Sequence, residues 1–265
     1  MKLVVAILPS VIVLAAHGQT PAPGTIESKA IVARMHEAAL AYADCLQDFT
    51  CTRFLTRSAG SLLDGPHWRR LDTQEAVIAY VDHTEHADIV KVNGETVDLA
   101  KHIKRGPYFT PGGEFGGMLQ KIFDRKAQAE FQWDHDEASS GLRTCVFRYN
   151  VPQATSTEII QADADRVRLG HHGMVWADCL TGAVIRFRIE TDIGESARSG
   201  RRVPVGFRIE VRYAPVTIGT QEFLLPQSAV ETSLFDKTWT KLEIRFEQYR
   251  KFDANSVIKL GEDKD

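Results

Sequence analysis

The 265-residue chain lacks the motifs that mark common enzymes and metalloproteins. It has no CxxC pair, which disfavours a zinc ribbon or a thioredoxin-like centre. It has neither GxSxG nor HExxH, the patterns typical of α/β-hydrolases and zinc peptidases. It also lacks a basic excess, with 32 Lys and Arg against 35 Asp and Glu, which disfavours a nucleic-acid partner. We therefore expect no catalytic residue, no metal and no cofactor.

Long apolar runs are missing except at the N-terminus. Leu3 to Ala16 is apolar apart from Pro9 and Ser10, and small residues follow up to Gly18. This pattern predicts a signal peptide over residues 1–18, cleaved near Gly18, because the run is too short to span a bilayer comfortably. Residues 19–25 then form a linker, and residues 26–265 form a single domain. We expect a periplasmic or extracellular protein with no transmembrane segment after cleavage.

Cysteine is scarce, with four residues, Cys45, Cys51, Cys145 and Cys179. Exported cysteines tend to pair, and four of them allow three connectivities. We favour Cys145–Cys179, since strand alternation places both on an apolar face. We also favour a Cys45–Cys51 disulfide, which would link the end of the first helix covalently to the sheet. The alternative is buried free thiols.

Helical periodicity is confined to two segments. One runs from Ile26 to about Asp44, with Thr25 as a plausible N-cap, and the other is "EFGGMLQKIFDRKA". Most of the remainder has the composition of strands. Two segments alternate apolar and polar residues strictly, Val205–Tyr213 and Leu242–Phe246, as in an antiparallel sheet with one solvated face. The predicted fold class is mainly β (α+β): a single curved antiparallel sheet, or half-barrel. A long N-terminal helix and a short lid helix cover its concave side.

The segment "HHGMVWADCLTGAVIRFRIE" contains the residue types of an active site. A three-residue hairpin loop ending at Gly182 would pair Ala177 with Ile185 and Val175 with Phe187, which sorts apolar from polar side chains. The same alternation places the side chain of His171 on the apolar face of the sheet and that of His172 on the solvent-exposed face. One metal cannot then bind both, unless Gly173 marks a bulge.

The order of these segments resembles a known fold. A helix leads into "DFTCTRFLTRS", a "VNGE" turn and "GGEFGGMLQKIFDRKAQAEFQW" follow, and the hairpin above precedes "KLEIRFEQYRKF". The chain resembles uncharacterised secreted bacterial proteins of the LolA/LolB-like (RseB-like) lipoprotein-carrier half-barrel superfamily. The resemblance implies an apolar cavity between sheet and helices that binds acyl chains. The four cysteines and the basic loop "ARSGRR" depart from a typical carrier, and no carrier motif transfers residue by residue.

The leading hypothesis is an exported, non-enzymatic protein that binds a lipid, a lipoprotein acyl chain or another apolar small molecule in the half-barrel cavity. The expected lining comprises Phe123, Ile185, Phe187, Phe207, Ile209, Tyr213, Ile244 and Phe246. The alternative for each is a plain filled core. A second hypothesis is a cell-envelope protein–protein interaction module without a cavity. A third is a metal-assisted hydrolase using His171 or His172. The three hypotheses predict different structures. A ligand binder should have an empty apolar pocket, and an interaction module should have an exposed apolar patch. A hydrolase should bring its histidines together in one cleft.

Overall fold

A computed structural model describes residues 24–61, 67–97, 112–139, 142–162, 165–198 and 200–252. The predicted signal peptide (1–18) and most of the predicted linker (19–25) lie outside these ranges. Within them the α-helices are α1 (Thr25–Ala41) and α2 (Gly117–Phe123), each followed by a 3-10 turn, at Ala43–Cys45 and Arg125–Ala127. In the described ranges no helix has both the length and the apolarity needed to cross a membrane.

The strands account for most of the described chain. In order they are β1 Phe49–Ser61, β2 Arg69–Val81, β3 Thr84–Val92, β4 Glu95–Thr96, β5 Glu130–Ser139, β6 Leu142–Val151, β7 Ile159–Ala162, β8 Asp165–Arg168, β9 His171–Asp178, β10 Val184–Thr191, β11 Gly194–Arg198, β12 Arg201–Ile218, β13 Gln221–Phe235 and β14 Thr238–Lys251. The segment "TQEAVIAYV" forms the second part of β2.

One curved antiparallel sheet contains twelve of these strands, in the order β4-β3-β2-β1-β14-β13-β12-β10-β9-β6-β5, with β11 paired to β12. The chain runs from the middle of the sheet to one edge, resumes at the other edge with β5, and returns to the middle. Strand β1 therefore pairs with β14. Strands β7 and β8 form a separate ribbon. The predicted fold class, mainly β with a long N-terminal helix and a short second helix, is confirmed.

Alternation separates the two faces of the sheet as predicted. In β14, Leu242, Ile244 and Phe246 are buried, whereas Glu243 and Arg245 are exposed. The inner face supplies most of a single hydrophobic core. The sheet can curve over this core because only one of its faces must be kept from water.

Tight turns set the register of the β2–β3 and β3–β4 pairs. Asp82 and His83 have φ of 49° and 60°, and Asn93 and Gly94 have φ of 52° and 83°. Two consecutive left-handed residues are the mark of a type I′ turn, whose twist matches that of the strands. The predicted Asn-Gly turn is thus confirmed.

The two helices cover the concave face. In α1 the buried side chains Ile31, Met35 and Ala39 recur every four residues, so they form one stripe. The α2 residues Met118, Leu119, Ile122 and Phe123 are buried. One detail of the prediction is wrong: Gly24 occupies the N-cap of α1, and Thr25 is the first helical residue.

The β9–β10 hairpin has the predicted loop, with Gly182 at φ 78°. The Val175–Phe187 pair is confirmed, but Ala177 pairs with Val184, and the pairing with Ile185 is wrong. Ile185 forms a β-bulge beside the loop, so it has no partner in β9. Within the loop, the Asp178 carboxylate accepts hydrogen bonds from the amides of Leu180 and Thr181. The bulge buries Val184 and leaves Ile185 half-buried.

One of the two predicted disulfides is present. Cys145 and Cys179 are bonded, with their Cα atoms 5.1 Å apart. The predicted Cys45–Cys51 bridge is wrong, because both thiols are free. Cys51 lies on the inner face of β1, buried with Leu55, whereas Cys45 is exposed in the 3-10 turn after α1. The two side chains therefore occupy different environments.

Candidate functional site

The residues predicted to line a cavity lie mostly in the core between the sheet and the helices. Six are buried there: Phe123, Phe187, Ile209, Tyr213, Ile244 and Phe246. Phe207 is partly buried against the same core, whereas Ile185 lies outside it because of the bulge in β10.

Helix-side residues pack against several of these side chains. The ring of Phe115 meets that of Phe246 edge-on, with centroids 5.3 Å apart. The Tyr213 hydroxyl donates a hydrogen bond of 2.7 Å to the carbonyl oxygen of Glu114. Phe187 lies beside Tyr213 at 6.1 Å between centroids. These contacts connect the predicted lining residues with the helix side of the core, and their role in lining a ligand cavity stays a prediction.

A groove remains between α1 and the edge strand β5. On α1, Ser28, Val32 and His36 are spaced by four residues and form one stripe. On the strand side, Ala129, Phe131 and Trp133 are spaced by two and share one face. Together with Lys29 and Phe147, these side chains enclose about 320 Å³. We call this space the α1–β5 groove.

Aromatic contacts fix the inner wall of the α1–β5 groove. His36 Nδ1 lies 3.1 Å from the carbonyl oxygen of Phe123, and since a carbonyl only accepts, Nδ1 carries the proton. The His36 ring meets the edges of Phe123 and Phe131 at centroid distances of 5.2 and 5.5 Å. Phe123 stacks on Phe131 at 5.3 Å. The groove thus borders the C-terminal end of α2.

Polar contacts orient Trp133 in the groove wall. Its indole Nε1 donates to Asp136 Oδ1 at 3.2 Å, and Asp136 Oδ2 accepts from Arg143 Nε at 2.7 Å. The register of β5 shifts between Trp133 and His135. This bulge allows Trp133 and Asp136, three positions apart, to meet on one side of the strand.

The two histidines of the quoted hairpin segment point to opposite faces, as predicted. His171 is buried, with Nδ1 3.3 Å from the Tyr149 hydroxyl, whereas His172 is exposed. Pairing is continuous through Gly173, so no bulge brings the two rings together. Burial, together with the nearby charge of Lys121, lowers the pKa of His171 to about 4. His171 is therefore neutral at physiological pH.

Potential metal ligands converge at one place within the described residues. Asp136, Cys145 and Cys179 present ligand atoms within 4.8 Å of one another. The two sulfur atoms are bonded to each other, so neither is available as a thiolate. This cluster does not fit a metal site.

A second groove crosses the solvent face of the sheet, over β1, β2, β13 and β14. It encloses about 590 Å³, and its lining includes Phe54, Thr56, Val230, Glu243 and Arg245. The Arg245 guanidinium lies 5.7 Å from the centre of the Phe54 ring. We call this space the outer-face groove.

The sequence did not single out the α1–β5 groove. The residues of its helix stripe recur every four positions, as in many helices, and "AEFQW" has the composition of an ordinary strand. The only available signal was that Ala129, Phe131 and Trp133 share one face, but a core or edge position explains such a pattern equally well. Nothing local indicates that β5 lies at the sheet edge beside α1.

No protein-family model and no curated protein matches the chain. Sixteen chains of solved structures are similar to it, including the following three. A LolA superfamily protein from Nitrosomonas europaea is 10% identical, with a TM-score of 0.32 and coverage of 85% of this chain and 93% of that one. A DUF1329 family protein from Desulfovibrio piger is 8% identical (TM-score 0.35, 88% and 97%). A domain assigned to outer membrane lipoprotein sorting, from Vibrio parahaemolyticus, is 11% identical (TM-score 0.33, 88% and 97%).

Proposed function

We propose that this protein is an exported, non-enzymatic binder of an apolar ligand, a lipid or a lipoprotein acyl chain, and that the ligand docks in the α1–β5 groove. The observation that carries the proposal is the groove itself, about 320 Å³ between a helix stripe and a strand stripe. This volume is at the lower end of the range typical of small-molecule sites.

The chemistry of the walls supports an apolar ligand. Phe131, Trp133 and Val32 are only partly buried and pack against the core from its margin. Covering such surface with an acyl chain is favourable by about 25 cal/mol per Å² of apolar area removed from water. The inner wall borders Phe123, which is one of the core residues predicted to line a cavity.

Location outside the cytoplasm is part of the proposal. The apolar N-terminal run predicts export, and the Cys145–Cys179 disulfide fits an oxidising compartment.

Native mass spectrometry of the exported protein tests the proposal, combined with titration of a fluorescent acyl probe. We expect a co-purifying lipid mass and saturable probe binding. Ala129→Phe should weaken probe binding at least severalfold, because the added ring fills the groove. Ala33→Phe is the matched control, since Ala33 is exposed on α1 and does not line the groove. Repeated absence of both a bound mass and probe binding would overturn the proposal.

The outer-face groove favours a second candidate function, a cell-envelope interaction module. Val230 is 45% exposed there, beside Phe54 and Arg245, on the face of the sheet that α1 and α2 leave open. Apolar and arginine side chains together are typical of protein interfaces. In the experiment above, co-purification of a protein with no bound lipid would favour this candidate.

A further inference from the structure

We infer that the α1–β5 groove selects a single-chain amphiphile with an anionic head, a free fatty acid, and that Lys29 binds its carboxylate. The inference rests on the proposed function and specifies the ligand of that site. Its starting point is the composition of the lining. Lys29 is the one side chain with a permanent charge among the eight described residues that line the groove.

The position of Lys29 suits a head group. It follows Ser28, the first residue of the helix stripe, and it is exposed. The opposite side of the groove presents aromatic rings, so one ligand would place its chain against Phe131 and its head at the solvent margin. An amphiphile bound in this way keeps its charge hydrated, which avoids the cost of burying it.

Lys29 has no acidic partner of its own. Asp136 accepts from Arg143 at 2.7 Å, and Glu27 pairs with the same guanidinium at 3.6 Å, so both of these carboxylates are engaged by Arg143. Within the described ranges Lys29 forms no ion pair. Its ammonium group can therefore pair with the carboxylate of a ligand at the margin of the groove.

The size and shape of the groove favour one chain. It lies between α1 and the strands β5 and β6, and about 320 Å³ leaves little space for a second chain. A doubly charged phosphate head would also require more donors than one ammonium group supplies. A monovalent carboxylate on a single chain satisfies both constraints.

The test compares three amphiphiles with the same twelve-carbon chain: dodecanoate, dodecanol and dodecyltrimethylammonium. Each is titrated into the exported protein below its micellar concentration or, for dodecanol, below its solubility limit. Calorimetry gives the affinities. We expect dodecanoate to bind about fivefold more tightly than dodecanol, as for a partly exposed ion pair. The difference should shrink as salt is raised.

Lys29→Gln should lower the affinity for dodecanoate to that for dodecanol, and Lys29→Glu should reverse the preference in favour of the cationic amphiphile. Lys237→Gln is the control, since Lys237 is exposed in the β13–β14 turn. Equal binding of all three amphiphiles, unchanged in the Lys29 variants, would overturn the inference and leave the proposed function standing. Binding of none would overturn both.

Discussion

Glu114 shows how a single buried group makes stability depend on pH. It lies just before α2, its side chain is buried, and neither carboxylate oxygen has a hydrogen-bond partner among the residues that the structure describes. Burial, reinforced by the negative charge of Glu85, raises the pKa of Glu114 from 4.5 to about 7. Between these values the folded protein keeps a proton that the unfolded chain has lost. Stability from this residue therefore falls as pH rises through that window.

We predict that Glu114→Gln stabilises the protein increasingly as pH rises from 5 to 8, because glutamine carries no charge to bury. The gain has an upper limit of about 1.4 kcal/mol per pH unit within the window. Urea unfolding midpoints of wild type and variant at pH 5, 6.5 and 8 measure it. Glu222→Gln, at an exposed position, is the control. A constant difference across pH would contradict the prediction.

His171 acts in the opposite direction over nearly the same window. Its pKa falls from 6.5 to about 4 on folding, so the unfolded chain takes up a proton first as pH falls. Its contribution to stability is complete above about pH 6.5 and declines toward pH 4. The opposite effects of Glu114 and His171 on the pH dependence of stability partly cancel in the wild type. Removing the Glu114 carboxyl should therefore steepen the loss of stability on acidification.

At the scale of elements, a glycine allows the β9–β10 hairpin to pack closely against α1. Gly182 has φ of 78°, and a Cβ built there would lie 2.5 Å from the carbonyl carbon of Arg34. Arg34 Nη2 also donates to the carbonyl oxygen of Cys179 at 2.8 Å. The absence of a side chain at Gly182 lets the helix approach the hairpin.

We predict that Gly182→Ala destabilises the protein by about 3 kcal/mol, adding steric displacement of α1 to the cost of a left-handed alanine. Gly200→Ala is a matched control, because Gly200 has φ of 80° but nothing within 4 Å of its Cβ position. It should lose only about 1–2 kcal/mol. Chemical denaturation of both variants measures the difference. Equal losses would show that α1 does not press on the hairpin.

The same hairpin shows what sequence can and cannot predict. Alternation of side chains predicted the Val175–Phe187 pair and the opposite directions of His171 and His172, because both depend only on local periodicity. It missed the bulge at Ile185, because one extra residue beside a tight loop leaves the composition unchanged. It also missed the α1–β5 groove, since that site depends on which strand ends at the sheet edge. The order of strands is set by pairing across the whole chain.

At the scale of the whole molecule, the disulfide and the free thiols can be separated experimentally. Cys145 and Cys179, 34 residues apart, are bonded, whereas Cys45 is exposed and Cys51 is buried. Burial, with a further contribution from Glu85, raises the pKa of Cys51 to about 12, so its thiol is unreactive in the folded state.

We predict that thiol titration finds one reactive group in the native protein and two after unfolding in denaturant. Replacing both Cys145 and Cys179 by alanine should cost about 3–4 kcal/mol, mainly because the unfolded chain gains freedom. Cys45→Ser should leave stability almost unchanged. Urea midpoints under non-reducing conditions measure these losses. Four reactive thiols in denaturant would contradict the disulfide.

The place of β14 in the sheet has a kinetic consequence. Phe49 pairs with Lys251, and the whole of β14 lies between β1 and β13. During synthesis, the middle of the sheet stays incomplete until this strand emerges. Pairing across such a sequence separation is slow, since the intervening chain must first be ordered. We expect the sheet to close only after β14 has been synthesised, and the side of β1 that pairs with β14 stays exposed until then.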